Sequence, residues 1–148
     1  MEEKSIQQAA NEHYASRFDE NMEQMIAVAM GDEESFAVDD YDEDNVLDRD
    51  DAMERLQEMP LSFEKLITDH RRWEIQWEIL LGTGGPADRV LVTTTFEGAI
   101  ESASYQHQDW FQPWTDAENQ DSSLVENFAS IVGYYEPDPE PCNNPYGY

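Results

Sequence analysis

Hydrophobic and polar residues alternate with a period of two in the middle of the chain. The segments WEIQWEILL (73–81), RVLVTTTF (89–96) and AIESASYQHQ (99–108) show this alternation, and aromatic and branched residues hold many of the apolar positions. Such a pattern is typical of strands that bury one face. The connections are short, GTGGPAD (82–88) and Glu97-Gly98, which favours antiparallel pairing. The pattern predicts an antiparallel sheet of three or more strands.

Apolar residues recur at steps of three and four on either side of this sheet segment. A long stripe over residues 4–30 predicts an N-terminal helix that ends near Gly31. A short acidic helix is expected over 50–58, where Pro60 stops it, and another over 121–132, with Ser123 and Glu126 as a capping box. Residues 31–49 show no period and are expected to form a loop. The fold class predicted is α+β, with the helices packed against one face of the sheet.

Charge divides the chain unevenly. The 148 residues carry a net charge of -26, and residues 1–60 contribute 19 acids against 4 bases. We therefore expect an acidic helical N-terminal segment (1–60), an α+β domain (61–135) and a mobile Pro-rich tail (136–148). A surface of this charge repels nucleic acids and anionic membranes and attracts basic partners.

Several classes of function find no support in the sequence. Cys142 is the only cysteine, so neither an intrachain disulfide nor a cysteine zinc site is expected. No signal peptide or membrane span is apparent, which favours a cytoplasmic protein. The segment 82–88 lacks the Lys of a phosphate loop, and we expect a turn in which Gly82, Gly84 and Gly85 supply positive φ angles.

No catalytic set of residues is apparent either. His107 and Asp109 could share a strand face, but an acid–base or metal site needs more ligands, and His13 and His70 are far away in sequence. The sequence around them, YQHQDWFQPWT (105–115), is interpreted as a structural aromatic cluster. We expect no enzymatic activity, no cofactor and no metal.

The acidic stretch DDYDEDNVLDRDD (39–51) allows three interpretations. The first is a calcium loop, with Asp40, Asp42, Asp44 and Asp48 at ligand positions one, three, five and nine. Asn45 stands where such loops have glycine, Asp51 replaces the long Glu at position twelve, and no helix is predicted to enter the loop. The second is a mimic of nucleic acid, and the third is general adaptation of the surface to high salt.

Carboxylates four residues apart on a helix lie about 5–6 Å from each other, close to the phosphate spacing along one nucleic-acid strand. Glu54 and Glu58 have this spacing, and so do Asp40, Asp44 and Asp48 if their segment is helical. Such a surface could fill a basic groove. The residues expected to contact the partner are Asp32, Glu33, Glu34, Asp39, Asp40, Asp42, Glu43, Asp44, Asp48, Asp50, Asp51, Glu54 and Glu58.

The sequences EILLGTGGPADRVLV (78–92) and YQHQDWFQPWT (105–115) carry a resemblance to known proteins. With MERLQEMPLSFE (53–64) before them, they resemble a family of small proteins encoded by bacteriophages and other mobile elements. The shared features are LLGTGGPA, the Arg that follows it, and a YQDWF-PWT segment into which this chain inserts His107. The resemblance covers residues 73–132 and leaves out the acidic N-terminal third. The family has no established activity, so no catalytic residue is carried over.

The resemblance implies a mobile-element context, in which small acidic proteins act as anti-CRISPR or anti-restriction inhibitors. The function expected is therefore non-enzymatic inhibition of a host nucleic-acid-processing defence complex by nucleic-acid mimicry. A calcium-binding regulatory module and a salt-adapted protein of unrelated role remain the alternatives.

Overall fold

The computed structural model describes residues 5–32, 36–37, 46–84, 86–110 and 112–137. The predicted α+β class is confirmed in these ranges. The helices are α1 (Ile6–Arg17), α2 (Glu20–Ala29), α3 (Arg49–Glu58) and α4 (Ser122–Val132). The strands are β1 (Phe36–Ala37), β2 (Val46–Leu47), β3 (Ser62–Asp69), β4 (Glu74–Gly82), β5 (Ala87–Thr95), β6 (Ile100–Gln108) and β7 (Thr115–Asp116).

The main sheet is an antiparallel meander in the order β3-β4-β5-β6-β7. Strands β4, β5 and β6 are the ones predicted from the period of two, and their buried residues alternate with half-buried ones except at the exposed start of β6. The alternation arises because only one sheet face is covered. The covered face and buried residues of all four helices form one hydrophobic cluster, which includes Phe18, Ile26, Leu56, Trp77 and Phe128.

The sequence pattern did not reveal strand β3. It lies at the sheet edge, and a bulge between Lys65 and Ile67 breaks its register with β4. The four central residues of β3 are exposed, so the strand has no apolar face with a period of two. A bulge of this kind is a common way to block further pairing at a sheet edge.

The single helix predicted over residues 4–30 is wrong, because two helices occupy this range. Phe18 ends α1 with φ -107° and ψ 58°, and Asp19 is the extended N-cap of α2, where its carboxylate accepts a hydrogen bond from the Met22 N–H. The stripe continues across the break because Phe18 itself is buried in the core. A capping aspartate that satisfies free N–H groups stabilises a new helix start.

Two local predictions in the remaining elements need correction. The N-cap of α4 is Asp121, whose carboxylate accepts from the N–H groups of Ser123 and Leu124, so the predicted Ser123 capping box is wrong. The segment 82–88 does form a turn between strands, and Gly84 has a positive φ of 125°. Gly82, however, lies in β4 without a positive φ, and Gly85 is outside the described residues.

The predicted loop 31–49 contains β1 and β2, which pair with each other as a small separate sheet. Residues 33–35 and 38–45 of this loop lie outside the described part, as do Cys142 and the tail from 138 onward. Among the helices of the described ranges, none is long and apolar enough to cross a membrane.

Candidate functional site

The structure describes six of the acidic residues expected to contact a partner, and all six are exposed. Asp32 follows the end of α2, and the other five belong to α3 or its N-cap: Asp48, Asp50, Asp51, Glu54 and Glu58. The remaining seven lie outside the described residues: Glu33, Glu34, Asp39, Asp40, Asp42, Glu43 and Asp44. Helix α3 with its N-cap therefore carries most of the described part of the expected surface.

Local interactions explain why so acidic a segment forms a helix. The Asp48 carboxylate accepts a hydrogen bond of 2.9 Å from the Asp51 N–H, which caps the N-terminus. Asp50 and Asp51 lie in the first turn, where the helix dipole stabilises negative charge. On the opposite side, Ala52 and Leu56 are fully buried. Burial of these two side chains fixes α3 on the core with its acids directed outward.

Asp50, Glu54 and Glu58 follow one another at intervals of four residues along α3. We call these three residues the acidic row. Neighbours at this interval lie on one helix face, about 5–6 Å apart. Helix α3 is also held to its neighbour, because the Gln57 side chain donates a hydrogen bond to the Ile131 carbonyl of α4. The acidic row thus lies on a helix whose orientation is held by buried side chains and by the contact with α4.

The elements on either side of the predicted calcium loop bear on that interpretation. Helix α2 ends at Ala29 and residues 36–37 form a strand, so no helix runs into a loop that would begin at Asp40. Asp48, a ligand in that interpretation, already caps α3. No group of three or more potential metal ligands from His, Cys, Asp and Glu occurs within the described part. Asp40, Asp42 and Asp44 themselves lie outside it.

A buried polar cluster lies where α1 crosses the ends of β5 and β6. The Asp88 carboxylate accepts hydrogen bonds from the Arg17 guanidinium at 2.8 and 3.0 Å and from the Tyr105 hydroxyl at 2.9 Å. Asp88 is only 6% exposed, so these hydrogen bonds take the place of the water that an exposed carboxylate would bind. The hydrogen bond to Asp88 raises the pKa of Arg17, and burial raises the pKa of Tyr105.

Gly82 makes room for this ion pair. A Cβ atom at Gly82 would lie 2.5 Å from Asp88 Oδ1 and 3.3 Å from Arg17 Nη2. The turn predicted over 82–88 requires a positive φ at Gly82. The structure gives it a different role, since a side chain here would displace the carboxylate that links α1 to the sheet.

His107 pairs in register with Asp88 and extends the polar cluster. Its ring is buried and stacks on His13 of α1, with 4.0 Å between the ring centroids. His107 Nε2 has no hydrogen-bond partner and lies 3.8 Å from Asp109 Oδ1. Burial and the neighbouring His13 lower the pKa of His107, which favours its neutral form.

The spacing of His107 and Asp109 in the sequence predicts a shared strand face, whereas His13 is far from both along the chain. Asp109 follows the end of β6, with Oδ1 3.8 Å from His107 Nε2, and α1 brings His13 against His107. No sequence signal marked this contact, because it depends on how α1 crosses the sheet. Two of the surrounding aromatic residues pack within the protein. Tyr105 is fully buried, and the Trp114 ring centroid lies 4.1 Å from Arg89 Cζ. Trp110, in contrast, is 66% exposed.

Two neighbouring cavities flank α2: α1 and the start of β5 line much of the first, and the end of α3 lines the second. One, of about 430 Å³, is lined by His13, Ser16, Arg17, Asp19, Asn21, Met22, Met25, Met59 and Asp88. The other, of about 560 Å³, is lined by Met25, Arg55, Glu58 and Met59. The two share Met25 and Met59. We call this depression the methionine groove; Glu58 of the acidic row lies on its rim.

No protein-family model, no curated protein and no solved structure matches this chain. The resemblance to proteins of bacteriophages and mobile elements therefore stays a prediction from the motifs in residues 73–132.

Proposed function

We propose that this protein is a non-enzymatic inhibitor that binds the basic groove of a host nucleic-acid-processing defence complex. In this proposal the acidic residues of α3 and of the segment before it take the place of a nucleic-acid strand. The complex would be of the CRISPR or restriction type, in the cytoplasm of a host cell. The protein itself would contact neither nucleic acid nor membrane.

The observation that carries the proposal is the acidic row. Asp50, Glu54 and Glu58 have a spacing close to that of phosphates, and burial of Ala52 and Leu56 holds their helix in one orientation. Like charges at this spacing repel one another and destabilise a helix. A partner that supplies Lys and Arg side chains relieves this repulsion, because charge-assisted hydrogen bonds form in its place.

The experiment is an affinity measurement between the purified protein and purified CRISPR effectors or restriction enzymes. In the test variant, Asp50→Asn, Asp51→Asn, Glu54→Gln and Glu58→Gln remove four exposed carboxylates from α3. A matched control removes four exposed carboxylates elsewhere: Glu64→Gln, Glu97→Gln, Glu101→Gln and Glu118→Gln. Both variants change the net charge by the same amount, so a difference between them reports position and not total charge.

We expect the α3 variant to bind on the order of a hundredfold more weakly than the wild-type protein, since close charge pairs at an interface are strongly coupled. The control should lose much less. Equal losses in the two variants would show that only net charge matters. Binding that survives the α3 substitutions unchanged would contradict the proposal.

The distribution of carboxylates outside α3 favours the salt-adaptation alternative. Exposed carboxylates also occur away from α3, on β3, on β6 and in the turn between β5 and β6, at Glu64, Glu101 and Glu97. Adaptation to high salt distributes acids over a whole surface in this way. It predicts that the protein unfolds when salt is withdrawn. Circular dichroism at 10 mM and at 2 M salt would reveal this unfolding, because the Debye length differs roughly tenfold between the two conditions. The inhibitor proposal expects a folded protein at both.

A further inference from the structure

Three of the eleven residues that line the methionine groove are methionines, an apolar part that a pure mimic of nucleic acid would not need. Met22 is buried at its base, and Met25 and Met59 are half-buried and pack against the core cluster. Methionine is flexible and polarizable, so it adapts to side chains of different shape and is frequent at surfaces that bind helices. This lining can therefore receive apolar side chains from a partner.

The charges around the groove select the kind of partner. Its lining holds three acids, Asp19, Glu58 and Asp88, and two bases, Arg17 and Arg55, which leaves a net charge of -1. Arg17 is already paired with Asp88. From Glu58 on the rim, Glu54 and Asp50 continue the negative charge along α3, away from the groove. Cationic side chains are therefore favoured at the rim, beside the three methionines.

We propose that the methionine groove binds a basic amphipathic helix of the partner, with its apolar side chains on Met25 and Met59 and its Lys or Arg side chains on Asp19, Glu54 and Glu58. This inference rests on the proposed function, because it names the part of the basic partner that the acidic surface would hold. An amphipathic helix fits because it places apolar residues along one face and cations beside them. The charged stems of Lys and Arg can also cover the methionine side chains while their ends reach carboxylates.

The test uses two fluorescent peptides of 18 residues with the full-length protein, a length of about five helical turns. The first is an amphipathic helix of Leu and Lys. The second has the same lysines, but Gln replaces every Leu, so the two peptides have equal charge. We expect the Leu peptide to bind at least about tenfold more tightly, because its leucines leave water on binding.

Two double variants show where the apolar side chains bind. Met25→Gln/Met59→Gln should lower the affinity for the Leu peptide about tenfold and leave the Gln peptide unaffected. The matched control is Met30→Gln/Met53→Gln, since Met30 and Met53 line a different cavity, between α3 and the end of α4. It should change neither affinity. Met22 is left intact because it is buried in the core.

A measurement on the wild-type protein keeps the test valid if a variant fails to fold. With 13C-methyl methionine, addition of the Leu peptide should shift the Met25 and Met59 signals and leave Met30 and Met53 in place. Equal affinity for the two peptides, or shifts at Met30 and Met53 in place of Met25 and Met59, would contradict the proposal that the groove binds the helix. The proposed role of the acidic surface would be unaffected by either result. If neither peptide binds even at low salt, the proposed function fails as well.

Discussion

Replacement of Arg17 by Met tests whether the buried ion pair to Asp88 holds α1 on the sheet. Met keeps most of the aliphatic length of Arg17 and removes the two hydrogen bonds, of 2.8 and 3.0 Å, to the Asp88 carboxylate. Asp88 would then keep the Tyr105 hydroxyl as its partner within a site that is 6% exposed. Removal of one member of a fully buried pair costs about 3–5 kcal/mol.

The Arg17 side chain is 35% exposed, so solvent already screens part of the interaction. We therefore expect Arg17→Met to lower the free energy of unfolding by about 2–3 kcal/mol. For a chain of this length, this corresponds to a fall in Tm of roughly 4–12 °C. Asp88→Asn should cost less, because the guanidinium that it leaves behind can reach water.

The assay is urea unfolding followed by Trp fluorescence, with Arg17→Met, Asp88→Asn, the double variant and the exposed control Arg71→Met. The two single effects should sum to more than the double effect by at least about 1 kcal/mol, since both remove the same ion pair. Arg71→Met should change stability by less than about 0.5 kcal/mol. A loss from Arg17→Met as small as that of Arg71→Met, or strictly additive effects, would refute the role of the ion pair.

Two further predictions concern the pH response and a turn. The lowered pKa of His107 means that its contribution to stability is complete above its ordinary pKa of about 6.5 and is lost as pH falls through the folded-state pKa. His107→Phe should therefore reduce the fall in stability below pH 6.5 in urea unfolding at several pH values; an unchanged pH profile would contradict this. Gly98 has a φ of 92°, and a Cβ there would overlap the backbone oxygen of Tyr135, so Gly98→Ala should cost about 2 kcal/mol or more. Gly84→Ala, at φ 125° with open space around it, should cost less, and equal losses in thermal unfolding would speak against the overlap.

Strands β4, β5 and β6 could be predicted because each has one covered face, which imposes a period of two on the sequence. Strand β3 could not, because an edge strand with a bulge and exposed Leu66 and Ile67 carries no such pattern. The break between α1 and α2 was missed for the opposite reason. Phe18 stays in the core, so the apolar stripe runs through the break without interruption.

The candidate site was predictable only where it depends on local sequence. The acidic face of α3 follows from charge, helical spacing and the stop at Pro60. The buried polar cluster joins Arg17 and Asp88 across 71 positions, and the methionine groove combines α2 with the end of α3. Contacts of this kind are set by how helices cross a sheet, and one sequence does not encode them in any spacing that can be read directly.

The most direct test of the central claim is competition with nucleic acid for the partner. A defence complex that binds the protein is first loaded with fluorescent duplex DNA, and release of the DNA is followed by anisotropy as the protein is added. The account predicts that the wild-type protein releases the DNA. It also predicts that neutralisation of Asp50, Asp51, Glu54 and Glu58 abolishes release, while the four-site control at Glu64, Glu97, Glu101 and Glu118 keeps it. A ternary complex in which the DNA stays bound, or release that the α3 substitutions do not change, would contradict it.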